Sequence, residues 1–193
     1  MPEIKRGNER IPVEPELVVY CGPMFSGKST RLVGELRVAP HAKYEVIAFK
    51  PDIDTRRGEG INTEDGGNFP ATSVDRTRPE KILRMVGPDI DIVGIDEAQF
   101  FGEGLVEVCL TLVRRGKAVW VAGLDKDFRG EPFGQMAKLK QEADRIVSLL
   151  ARCADCGRPA SRTQRLVNGK PANYNDPIVV VGGGLGGLAA AIS

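Results

Sequence analysis

Short apolar runs alternate with amphipathic stretches from residue 17 to residue 150. Leu17-Val18-Val19-Tyr20, Tyr44 to Lys50, Asp91 to Ile95 and Ala118 to Leu124 are too continuously apolar for strands with one wet face. That is the habit of central strands buried on both sides of a parallel sheet. Between them, apolar residues fall at helical spacing: Leu32, Val33 and Leu36; Ile82, Leu83 and Val86; Leu105, Val108, Cys109, Leu112 and Val113; Met136, Leu139 and Ala143. Pro51 should end the second strand, Pro79 suits the first turn of a short helix over Glu80 to Val86, and Gly116 stops the helix that precedes it. Arg145 to Leu150 reads as a last strand. This order predicts an α/β fold with a mainly parallel sheet, and Cys109 belongs to its packing.

The flanks read differently. Met1 to Pro15 is polar and charged, a loose arm over residues 1–15 ahead of a main domain at 16–150. Pro51 to Pro70 is a polar loop of the length at which lids occur. From residue 151 to residue 193 a small appended unit is expected, opening with Cys153-Ala154-Asp155-Cys156-Gly157.

Composition narrows the partners. The chain has 193 residues, 41% of them hydrophobic, and a formal net charge of +1, so it has a sizeable core and no general attraction for nucleic acid or anionic membranes. No apolar run approaches the roughly 20 residues of a membrane span, and no signal-peptide core opens the chain, which leads us to expect a cytoplasmic protein.

The chemistry concentrates at strand ends. Gly22-Pro23-Met24-Phe25-Ser26-Gly27-Lys28-Ser29 fits GxxxxGK[ST] between the first strand and the first amphipathic stretch. Such a loop turns backbone N–H groups onto a polyphosphate, sends its lysine to the terminal phosphates and offers its hydroxyl to Mg²⁺. Asp96 and Glu97 end the strand at Ile95; one acid suits Mg²⁺, and the next suits a proton from an attacking hydroxyl. Asp54-Thr55-Arg56 lies just past a strand end, so Arg56 either reaches a transferring phosphate or belongs to a solvated charge cluster. Phe128 and Phe133, in the polar loop after the fourth strand, either stack on a base or anchor that loop. Cys153 and Cys156 form half of a zinc knuckle. Structural zinc takes four ligands, no cysteine follows Cys156 in this sequence, and the one histidine, His41, lies far off in the main domain.

Gly22 to Thr30 (GPMFSGKST), Asp54-Thr55-Arg56, Asp96 to Phe101 (DEAQFF), Gly123 to Gly134 (GLDKDFRGEPFG) and Cys153 to Cys156 occur in the order seen in type II thymidine kinases. The chain resembles that family from about residue 16 to about residue 183. The resemblance implies a RecA-like, zinc-containing and usually tetrameric enzyme that moves the γ-phosphate of ATP to the 5′-hydroxyl of thymidine. It implies Glu97 as general base, Lys28 and Arg56 on the transferring phosphoryl group, and Ser29 with Asp96 on Mg²⁺. ATP would lie on Gly22, Pro23, Met24, Phe25, Ser26, Gly27, Lys28, Ser29, Thr30, Asp96 and Gln99, and thymidine on Phe100, Phe128, Phe133, Thr163, Val179 and Val181. Cys153 and Cys156 would contribute to a structural zinc site. The partners implied are thymidine and further copies of the chain, with neither nucleic acid nor membrane. A RecA-like DNA-dependent ATPase and a non-catalytic ATP-binding module are the alternative readings.

The C-terminal stretch departs from the family. After Pro177 to Gly183 the pattern calls for a loop with a tyrosine and a second cysteine pair, whereas Gly184 to Ser193 has neither. Gly182, Gly184 and Gly187 spell GxGxxG after Val179-Val180-Val181, yet no second strand or acidic ribose ligand follows, so we read no dinucleotide site there. A gene fusion, a frameshift or an altered end is its expected source. The expected consequences are ordinary ATP binding, weak thymidine binding, substoichiometric zinc and mobility beyond about Val167.

Overall fold

The computed structural model describes residues 12–53, 60–154, 156–167, 170–172 and 189–192. In chain order they form β1 (Leu17–Cys21), α1 (Lys28–Val38), β2 (Val46–Pro51), β3 (Ile61–Asn62), β4 (Asn68–Phe69), β5 (Thr72–Val74), α2 (Ile82–Met85), β6 (Ile92–Ile95), α3 (Leu105–Arg114), β7 (Ala118–Gly123), α4 (Met136–Glu142) and β8 (Arg145–Ser148). The short strands β9 (Ala151–Arg152), β10 (Pro159–Ala160), β11 (Arg162–Val167), β12 (Lys170–Pro171) and β13 (Ala189–Ile192) follow. Among these helices none is long and apolar enough to cross a membrane.

Six strands make one sheet in the order β5-β2-β6-β7-β1-β8. Every neighbouring pair in it is parallel. This is the doubly covered α/β sheet that the apolar runs predict, and it is RecA-like in kind. Alternate residues of β1 serve opposite layers. Leu17, Val19 and Cys21 join α3 and α4 through Cys109, Leu112 and Leu139, while Val18 and Tyr20 meet Leu32, Val33 and Leu36 of α1. Burial pushes the Cys109 thiol up to about 12, as an apolar packing residue requires.

Parallel strands bring all their C-terminal ends to one rim, so the loops after β1, β2, β6 and β7 gather there although their sequences lie far apart. One strand, β7, separates β1 from β6. At Gly94, in β6, an added Cβ would stand 2.7 Å from Cδ1 of Leu36. A side chain there would push α1 away and separate the two acids after β6 from the helix that carries Ser29.

Three local details have physical causes. Strand β2 ends at Pro51, as expected; on the β6 side its pairing ends at Phe49 with Ile95, so Pro51 itself faces only the edge strand β5. The stretch after Pro51 is not all loop, because Ile61-Asn62 and Asn68-Phe69 pair as a hairpin and Thr72–Val74 supplies the sheet edge. In the stretch past Val167, Ala189–Ile192 pairs antiparallel with β11, where Thr163 meets Ala191. An edge strand with open N–H and C=O groups takes such a partner readily. The expected arm at 1–15 is described only from Pro12 onward, and Asp155 lies outside the described residues.

Candidate active site

The loop after β1 is held by its own polar groups. Ser26 Oγ donates to the Pro23 carbonyl at 2.8 Å, and the Lys28 ammonium donates to the same carbonyl at 2.6 Å and to Ser26 Oγ at 3.3 Å. Gly27 caps α1 in the left-handed region at φ 78°, with no side chain bonded to the first turn and no acid in it. Those N–H groups are therefore open to an anion. Lys28 is half-buried, and burial lowers its pKa below the ordinary lysine value, opposed by the charges of Glu97 and then Asp96.

Across the rim, Ser29 Oγ donates to Asp96 Oδ1 at 3.0 Å. Asp96 is 5% exposed. Burial, and next the neighbouring Glu97, raise its carboxyl to about 7. A carboxylate in that setting lacks a full counter-charge, which is what a divalent cation beside a serine hydroxyl would provide. Glu97 itself sits at φ 51°, ψ 38°, a left-handed conformation rare outside glycine. Phe25, in the phosphate loop, has φ 61°. Such positions cost on the order of 1–3 kcal/mol each and persist only where the surroundings impose them.

One cleft joins these groups, with Lys28, Ser29, Thr30, Asp96 and Glu97 on its walls. Asn62, Thr63 and Glu64 complete it from the β3–β4 hairpin, together with Leu124 from the end of β7. Sequence reasoning named none of these four. The hairpin left a trace in Gly66-Gly67 between the isolated apolar residues Ile61 and Phe69, a turn signal inside a segment otherwise read as polar loop. Arg37 of α1 ties it down by donating to the Asn68 carbonyl at 2.8 Å.

The other expected site residues are distributed around this cleft. Phe100 and Phe133 meet edge to face, ring centroids 5.5 Å apart. Phe128 lies beneath two guanidinium groups, Arg129 at 5.3 Å and Arg165 at 5.7 Å from its centroid. Both aromatics of the β7–α4 loop thus contact other protein groups. Thr163 is buried on β11, and its Oγ1 accepts the Met24 N–H at 2.9 Å, joining the C-terminal strands to the phosphate loop. Gln99, expected on the nucleotide, is 3% exposed and bonds to Glu97 and to the Leu124 backbone. Asp54-Thr55-Arg56, Val179 and Val181 lie outside the described residues.

Cys153 and Cys156 form a tight turn in which the Gly157 N–H reaches the Cys153 carbonyl at 2.9 Å. Among the described residues, no group of three or more His, Cys, Asp or Glu converges as a metal site. Two thiols are half of a tetrahedral set, so the described donors do not fit a closed structural zinc.

The family model described as Thymidine kinase matches residues 15–185. Its span takes in the phosphate loop, both acids, the β7–α4 loop and the cysteine turn, and ends before β13.

Proposed function

This chain belongs to the thymidine kinase family, and on that premise we propose how its residues divide the work. It is an ATP:thymidine phosphotransferase, passing the γ-phosphoryl group of ATP to thymidine. In our reading the triphosphate lies along Gly22 to Thr30, on the open N–H groups at the start of α1, and Lys28 exchanges its bonds to Pro23 and Ser26 for phosphate oxygens. The thymidine 5′-hydroxyl gives its proton to Glu97 as its oxygen bonds to the γ-phosphorus. The bond from that phosphorus to the β–γ bridging oxygen breaks, and ADP keeps the electron pair. Ser29 and Asp96 would hold Mg²⁺, which when bound supplies positive charge to the β- and γ-phosphates. Arg56 is assigned to the transferring group, and Phe100, Phe128, Phe133, Thr163, Val179 and Val181 to the thymine pocket, on the resemblance.

The observation that most supports this division is the meeting of Ser29 with Asp96 at 3.0 Å, beside a lysine that feels the charge of both acids. A cytoplasmic homotetramer is our proposal for the working form, on the resemblance alone. The direct test is ATP consumption with Mg²⁺ in the presence and absence of thymidine and of DNA. Turnover should require thymidine and ignore DNA; turnover that DNA stimulates, or that proceeds without thymidine, would favour an ATPase.

A further inference from the structure

We propose that Gln99 is a positioning residue, which fixes Glu97 to the loop that leaves β7 and so aims the base from the nucleoside side of the cleft. The inference rests on Glu97 as base. Gln99 Nε2 donates to Glu97 Oε2 at 2.5 Å, and Gln99 Oε1 accepts the Leu124 N–H at 2.9 Å. The second bond decides the orientation of the amide. A backbone N–H can meet only the carbonyl oxygen of Gln99, which leaves the NH₂ group facing the carboxylate. One Glu97 oxygen is thereby occupied, and the other is left for the hydroxyl proton.

The surroundings are built around this side chain. An added Cβ on Gly123 would stand 2.8 Å from Gln99 Oε1 and 2.6 Å from Met136 Sδ. Gly134 has φ 55°, and an added Cβ there would stand 2.2 Å from the backbone carbonyl oxygen of Gln99, so that loop packs against the main chain that carries the amide. Both ends of the β7–α4 loop therefore close on Gln99, and the same loop carries Phe128 and Phe133. Glu97 has an unfavourable backbone conformation, and a buried amide bonded at both ends is what keeps its side chain in one place. Occupation of the loop by a nucleoside would then be felt at the base through Leu124 and Gln99. Gln99 touches neither phosphate nor sugar in this account.

The test compares Gln99→Glu, Gln99→Met, Glu97→Gln and the Glu97→Gln/Gln99→Met double variant in the full chain, with ATP, Mg²⁺ and thymidine. Gln99→Glu keeps an acceptor for Leu124 but loses the donor to Glu97; Gln99→Met keeps the volume and loses both bonds. Each should lower kcat by roughly 10- to 100-fold while the ATP Kd and thymidine KM stay within about 3-fold. In the Glu97→Gln background, Gln99→Met should cost less than about 2-fold more, because its effect passes through a base already removed. Full additivity in that background would overturn the proposal. So would a raised ATP Kd with kcat unchanged, which would make Gln99 a nucleotide ligand, or normal kcat in a folded Gln99→Met chain. Loss of a cooperative thermal transition in both single variants would also overturn it, leaving Gln99 as packing. Near-normal turnover of Glu97→Gln is a separate failure, that of the base assignment, and would remove the premise.

Discussion

The phosphate end of the cleft and the segment from Ala151 to Ala172 are held by different means. The first stands on β1 and β6, strands buried along their whole length between two apolar layers. Among the described residues, the second has strands of two residues, apart from β11, and an apolar cluster of Ala151, Cys153 and Ala160. A large buried sheet can impose left-handed backbone on Phe25 and Glu97; three small side chains cannot impose anything comparable. The C-terminal strands take their order from elsewhere: from Thr163 on the Met24 N–H, from Arg165 on the Phe128 ring, and from β13 along β11. The proposed phosphate chemistry thus stands on the deeply buried end, and the expected thymine contacts are shared with the end whose order is borrowed.

The sharpest way to separate the two ends is at Glu97. Glu97→Gln should lower turnover by roughly 10² to 10⁴ while ATP affinity holds, since a positioned base acts only in the transition state. Isothermal titration with ATP beside steady-state kinetics reads both, and near-normal turnover would take the base away from Glu97. Lys28→Ala should weaken ATP binding and slow transfer together, by roughly 10² in kcat/KM for ATP, because that charge serves the bound nucleotide and the transition state alike. An unaltered ATP Kd would contradict the loop assignment.

Thr163→Val tests the tie between the ends. It leaves the Met24 N–H without its acceptor, a loss worth on the order of 1–3 kcal/mol, and thymidine KM should rise roughly tenfold with less change for ATP. Equal damage to both substrates would mean that the two ends are a single unit and would dissolve the distinction drawn above.

The smallest effect is on stability. The folded-state pKa of Asp96, about 7 without metal, lies above the unfolded value of about 3.9. The native chain therefore binds more protons than the unfolded chain between those values, and metal-free stability should fall as pH rises from about 4 to about 7, then level off. Asp96→Asn should remove that slope and raise metal-free stability near neutral pH by about 1–3 kcal/mol, at the expense of activity. Urea melts across this pH range, with chelator present, would show it; an unchanged slope in the variant would mean that Asp96 does not titrate there.

Much of this molecule was legible in the residues. Continuous apolar runs can be buried only between two layers, which marked β1, β2, β6 and β7 as central and the sheet as parallel, and a glycine-rich loop with lysine and serine before an amphipathic helix has few uses besides a polyphosphate. The acids after Ile95 followed from their place at a strand end. What the sequence could not supply was the company each residue keeps, because pairing order across a sheet is decided by the packing of whole layers and not by neighbours in the chain. Only the fold, by setting a single strand between β1 and β6 and leaving Gly94 bare under Leu36, brings Ser29 to Asp96 across 67 positions of sequence. Only the fold shows Gln99 bonded to both Glu97 and Leu124. A motif records which groups are present, whereas a hydrogen bond to a backbone N–H 25 residues away depends on where two separate strands end.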